Sequence, residues 1–94
     1  MNITDHAKSR IKERLGLPKR AIKRHVDNVF NVGYKHGVFS GRVKRYLDGQ
    51  FLKYRSATNM RVFSGYLYIF SKDTLITVYE LPKKYKSLIK SIQG

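Results

Sequence analysis

The chain has 94 residues and sets 20 Lys and Arg against 6 Asp and Glu, for a formal net charge of +14. This length fits one domain, 1–94, and a hydrophobic content of 41% is too high for a disordered basic tail. The absence of cysteine excludes a disulfide scaffold and any Cys-based zinc site, and no apolar run approaches the roughly 20 residues of a membrane span.

Thr4 reads as a helix N-cap, with Asp5 placed where a negative charge suits the helix dipole. Ala7, Ile11 and Leu15 form an apolar stripe, and Gly16 ends the helix. Pro18 opens a second helix with Ala21, Ile22, Val26, Val29 and Phe30 inward and Lys19, Arg20, Lys23 and Arg24 outward. Gly33 stops it. Ser40 caps a short helix from Gly41 to Leu47, and Asp48-Gly49 reads as a turn.

From Gln50 the period becomes two. Four strands are predicted: Phe51 to Ser56, Met60 to Phe63, Tyr66 to Phe70, and Thr74 to Glu80. Pro82 ends the last, and Tyr85, Leu88, Ile89 and Ile92 give a short C-terminal helix. The expected fold class is α+β, with the N-terminal helices packed on one face of a four-stranded antiparallel meander. Its other face is expected to be partly solvated or used.

Strict alternation in the fourth strand puts Thr77 and Tyr79 on that open face, and Arg61 joins them if Met60 and Val62 are core. A guanidinium, a hydroxyl and a phenol together suit a phosphodiester. His6 is the candidate for proton transfer. Metal-free RNA cleavage needs a base, a cation at the phosphorane and an acid for the leaving oxygen. His6, Arg10 or Arg61, and Tyr79 match those roles. No carboxylate cluster points to a two-metal nuclease, and no cofactor or metal is expected. The charge excess favours nucleic-acid contact by Lys19, Arg20, Lys23 and Arg24, with Lys83 and Lys84 beside Tyr85 as a second basic patch. His25 and His36 read as surface residues. Tyr66 and Tyr68 are open to base stacking or to packing.

The run Thr4-Asp5-His6-Ala7 with Arg10, Glu13 and Arg14, followed by Asn59-Met60-Arg61-Val62-Phe63, Tyr68-Ile69-Phe70 and Leu75-Ile76-Thr77-Val78-Tyr79, resembles small proteins of the barnase/colicin/RelE-like RNase superfamily. The similarity is greatest to a phage and mobile-element branch. The resemblance implies N-terminal helices on a four- or five-stranded antiparallel sheet and RNA cleavage without a metal. Carried over by position, it favours His6, Arg10, Arg61, Thr77 and Tyr79.

The leading expectation is therefore a cytoplasmic, toxin-like endoribonuclease that binds RNA or other nucleic acid. The implied protein partner is an antitoxin or a nucleoprotein complex, and no membrane is involved. The alternative is a non-catalytic phage or mobile-element protein that binds nucleic acid or a nucleoprotein machine, an anti-CRISPR inhibitor among them. A helix-turn-helix DNA binder, built on the first two helices, ranks below both because the second half is rich in strands.

Overall fold

The computed structural model describes residues 2–93, with side chains described through residue 89. In chain order the elements are β1 (Asn2–Ile3), α1 (Asp5–Leu15), α2 (Lys19–Val32), β2 (Tyr34–Lys35), a 3₁₀ turn (His36–Val38), α3 (Gly41–Lys53), β3 (Asn59–Phe63), β4 (Tyr66–Ser71), β5 (Thr74–Glu80) and α4 (Lys83–Gln93). The class is α+β. Its five-stranded sheet runs β1-β5-β4-β3-β2. β1 pairs parallel with β5, and the remaining neighbours are antiparallel. Among the described residues no helix is long and apolar enough to cross a membrane.

Local chemistry sets the helix ends. The hydroxyl of Thr4 accepts from the Ala7 amide at 3.1 Å and starts α1. Gly16 closes it in the left-handed region, φ 66°, where glycine has no Cβ to clash. Pro18 stands as the cap of α2, one residue before its first turn. Gly33 ends α2 for a different reason. A Cβ there would sit 2.6 Å from the Val29 carbonyl oxygen and 3.0 Å from the Arg61 Cβ, so only glycine lets the chain turn so closely over β3.

Helices cover both faces of the sheet, which corrects the expectation of one open face. On one face Ala7, Ile11, Ile22, Val26 and Val29 of α1 and α2 pack on Tyr68, Phe70, Leu75 and Val78. On the other, Phe39, Val43, Leu47 and Ile89 pack on Met60, Val62, Leu67 and Ile69. β4 is the central strand, and Leu67, Tyr68, Ile69 and Phe70 are all buried. The Ile92 of the predicted C-terminal stripe lies outside the described side chains.

The predicted strand from Phe51 to Ser56 is not formed. Instead α3 runs on through Asp48-Gly49 to Lys53. Val43 and Leu47 are buried, and Phe51 and Tyr54 continue the same stripe against the core. Packing at that helical spacing overrides the turn propensity of one Asp-Gly pair. The sheet is completed at its edges by the two-residue strands β1 and β2.

β5 also departs from strict alternation. Ile69 pairs with Thr77 and Phe70 with Leu75, so Ile76 is an extra residue in a β-bulge. Leu75 and Val78 therefore both face α1 and α2, while Ile76 and Tyr79 pack on the opposite core. The Thr4 hydroxyl donates to the Ile76 carbonyl at 3.2 Å, and the Thr4 amide donates to the Leu75 carbonyl at 3.1 Å. One side chain thus caps α1 and fastens it to the bulge. Thr4→Ala is expected to cost about 1–3 kcal/mol, the loss of a cap plus an orphaned part-buried carbonyl. Thr4→Ser should recover most of it. Urea denaturation of the three proteins checks this.

Candidate nucleic-acid interface

The cations are placed where folding alone would not place them. A helix N-terminus carries a partial positive charge and is stabilised by Asp or Glu. α1 follows that rule with Asp5. The first turns of α2, α3 and α4 contain no acid. α2 begins Lys19-Arg20, α3 has Arg42 as its second residue, and α4 begins Lys83-Lys84. Each arrangement opposes the helix dipole by roughly 0.3–1 kcal/mol per exposed charge. Each also joins free backbone N–H groups to side-chain cations, which suits an anion.

α1 and α2 form a groove from two adjoining hollows of about 370 and 350 Å³ that share Lys8, Lys19 and Ile22. Lys23 lines one end and Lys12 the other. All four lysines are exposed, and Asp5 is the acid at the rim. Arg20 and Arg24 are also exposed on α2. Lys8 and Lys12 lie off the His6–Arg10 side of α1 and are not among the cations that the sequence pattern singles out. Their spacing of four, matched by Lys19 and Lys23 on the next helix, was the available signal. A further hollow joins Arg14 of α1 to Lys83 and Lys86 of α4. There Lys86 Nζ lies 2.5 Å from Glu80 Oε2, and hydrogen bonding from Lys86 is the main cause that holds the Glu80 pKa below its ordinary value. Lys84 Nζ stands 5.0 Å from the centroid of the Tyr85 ring.

The five residues favoured for catalysis do not form one constellation. His6 and Thr77 do meet, with Nε2 3.2 Å from Oγ1. His6 is exposed and Thr77 is buried at the bulge. Arg10 follows His6 by one turn on α1 and is half-buried. Arg61 pairs with Tyr68 and so faces α2, whereas Tyr79 pairs with Leu67 and packs against the α3–α4 core. The expected grouping of Arg61 and Tyr79 on one face is therefore corrected, and the strand register is its physical reason: Arg61 lines up through Tyr68 with Val78, and Tyr79 through Leu67 with Val62. Tyr79 lies 5.9 Å from Tyr54, ring to ring, with Lys53 Nζ 5.7 Å from its centroid.

Arg61 is only 5% exposed. Its Nε donates to the Phe30 carbonyl at 3.0 Å and its Nη1 to the Met60 carbonyl at 2.9 Å. The guanidinium lies over the Phe30 ring, 4.4 Å from the centroid. Burial lowers its pKa from the ordinary arginine value.

Two histidines expected at the surface are tied into the structure. His36 bonds to Asp48, whose pKa is lowered chiefly by that hydrogen bond. His25 Nε2 lies 2.7 Å from the Tyr68 hydroxyl, and its ring sits between Tyr68 and Phe63. Tyr68 is 1% exposed and cannot stack on a base, and burial raises its pKa. Tyr66 packs beside the α1–α2 core, with its hydroxyl donating to the Arg14 carbonyl at 3.4 Å.

No family model, curated protein or solved structure matches the chain. Among the described residues no His/Cys/Asp/Glu group is placed to hold a metal ion.

Burial lowers the pKa of His25 from the ordinary 6.5. The unfolded chain therefore binds a proton before the folded one does, so the His25 contribution is fully present above about pH 6.5 and is lost as pH falls toward the depressed folded value. His25→Gln keeps a polar partner for Tyr68 and removes the titration. The stability difference between wild type and His25→Gln should shift against wild type from about pH 7.5 to about pH 5.5. Denaturant titrations at both ends measure it.

Proposed function

We propose that this chain is a basic nucleic-acid-binding protein that grips the sugar–phosphate backbone in the α1–α2 lysine groove. The observation that carries the reading is the set of cations at the first turns of α2, α3 and α4, set against the helix dipole on a chain of net charge +14. Folding gains nothing from that placement, whereas a polyanion gains both the side-chain charge and the backbone N–H groups. Lys8, Lys12, Lys19 and Lys23 then supply a row of phosphate contacts, with Arg20 and Arg24 beside them and Lys83 and Lys84 as a second anchor. Such contacts release counterions and carry little sequence information.

The double variant Lys19→Glu, Arg20→Glu separates this reading from a merely solvated helix face. It should raise folding stability by roughly 0.5–2 kcal/mol, because acids suit that turn, and weaken binding of a mixed-sequence oligonucleotide. With Lys8, Lys12, Lys19 and Lys23 all changed to Gln, the slope of log K against log salt should become shallower by about 3. An unchanged slope by fluorescence anisotropy rules the groove out as the contact surface.

A second reading, metal-independent RNA cleavage by a RelE-like fold, is favoured by the contact of His6 with Thr77. His6 would take the 2′-hydroxyl proton as that oxygen attacks phosphorus, Thr77 would hold the ring, Arg10 would face the phosphorane charge, and the expelled 5′-oxygen would take its proton from water, since Tyr79 packs in the opposite core. Arg61 is bonded to backbone carbonyls elsewhere, so Arg10 carries that part alone. His6 and Lys8 stand on opposite flanks of α1, so a strand must cross about 10 Å of helix to touch both. Incubation with RNA in EDTA should give 2′,3′-cyclic phosphate ends that His6→Ala abolishes while binding persists. Uncut RNA with binding intact leaves the non-catalytic reading, in which the protein acts by occupying a strand or a nucleoprotein partner.

A further inference from the structure

A cleft of about 410 Å³ lies at the β2 edge of the sheet, remote in sequence from the lysine groove, with Arg61 at its base. Two of the three guanidinium nitrogens of Arg61 are committed. Nε bonds to the Phe30 carbonyl, and Nη1 bonds to the Met60 carbonyl at 2.9 Å and to Asn59 Oδ1 at 3.5 Å. Nη2 makes none of these bonds. No buried side-chain nitrogen or oxygen among the described residues lacks a partner, so Nη2 must reach solvent. Arg61 is 5% exposed and lines the cleft, and the Nη2 edge is the part of its guanidinium left for a ligand.

Arg61 forms no ion pair with a carboxylate among the described residues. A cation so far removed from water without a counter-charge is costly, and burial already lowers its pKa. An anion seated on the Nη2 edge would compensate that cost. Asp48, which holds the cleft residue His36, is shared with Lys44.

The remaining walls describe the rest of the ligand. Lys35 is exposed at the rim and adds a second positive charge. Phe51, Val38 and Met60 supply an apolar side, and Val38 is 58% exposed although it is a large aliphatic residue. His36 is pinned by Asp48 and meets Phe51 edge to face at 5.3 Å, which holds that side in place. One anionic corner beside an apolar slot fits a phosphate attached to a flat ring.

From this geometry we infer that the Arg61 cleft is a nucleotide phosphomonoester site, with the phosphate on Arg61 and Lys35 and the base against Phe51 and Val38. The choice of a nucleotide over another organic phosphate rests on the nucleic-acid reading above. The phosphomonoester belongs either to a free nucleotide or to the terminus of a strand whose body lies elsewhere on the protein.

The test is isothermal titration of the full chain with adenosine 5′-monophosphate, adenosine and inorganic phosphate. A single-stranded oligonucleotide is titrated alongside with and without its 5′-phosphate. The monophosphate should bind about tenfold tighter than adenosine or phosphate, and Lys35→Ala should remove most of that margin. Arg61→Gln should abolish it, with circular dichroism confirming the fold. Because Lys35 is exposed, its variant decides the matter if Arg61→Gln unfolds. Amide shifts on adding the monophosphate should fall on residues 35–38 and 58–61. A 5′-phosphate preference in the oligonucleotide assigns the strand end, and nucleotide binding without that preference assigns the free nucleotide. A monophosphate that binds no tighter than adenosine, or that shifts only the lysine groove, overturns the cleft. Oligonucleotide binding then still stands or falls on the groove variants. Conversely, nucleotide capture by a chain that binds no oligonucleotide leaves the cleft and removes the groove reading.

Discussion

The link between Thr4 and the bulge in β5 is the constraint on which the other placements depend. A β-bulge leaves a carbonyl outside the regular ladder. Here that carbonyl belongs to Ile76, and the Thr4 hydroxyl takes it while also capping α1. The start of α1 is thereby fixed over β5, which sets His6 beside Thr77 and turns Lys8 and Lys12 toward α2. The bulge has a second effect. It sends Leu75 and Val78 to one core and Tyr79 to the other, so the strand serves two apolar layers at once.

With both faces of the sheet covered, no broad strand surface is left for a ligand. The surface left for any partner is that of the helices and the sheet edges. That agrees with where the charge lies, on the first turns of α2, α3 and α4 and along the α1–α2 groove. Two of the acids are drawn into local pairs, Asp48 with His36 and Lys44 and Glu80 with Lys86. They trim the positive field only slightly. Under the proposed function, long-range attraction brings nucleic acid to the protein and short-range geometry at the groove holds it.

Much of this fold is legible in the sequence, and the illegible parts have identifiable causes. α1 announces itself through Thr4, Asp5 and Gly16, and β3 to β5 begin and end within a residue of their expected limits. β1 and β2 are invisible because two residues carry no period. α3 is misread at Asp48-Gly49, where turn chemistry outweighs the longer Val43-Leu47-Phe51-Tyr54 spacing. The double coverage was signalled by Leu67-Tyr68-Ile69-Phe70, an unbroken apolar run of the kind a strand shows when it is buried on both faces. Of the candidate site, His6 and Thr77 are both named by the motif, but their contact is set by how α1 crosses β5, which the sequence leaves open. The separation of Arg61 from Tyr79 is not legible either, because it depends on the register between β3, β4 and β5, which residue type along one strand does not specify.

The central position of β4 bears on how the chain survives before it is folded. Tyr66–Ser71 is uncharged, lacks proline and is rich in β-forming residues, the composition that zips into intermolecular sheets when exposed. Lys72 and Asp73 directly after it are gatekeepers only at one end. Mutual repulsion between chains of charge +14 is the larger safeguard. It acts on nascent and unfolded molecules alike. Any polyanion neutralises that charge, so the same kind of molecule that would bind the folded surface under the proposed function would condense unfolded copies, and colloidal behaviour would depend on which population it meets first.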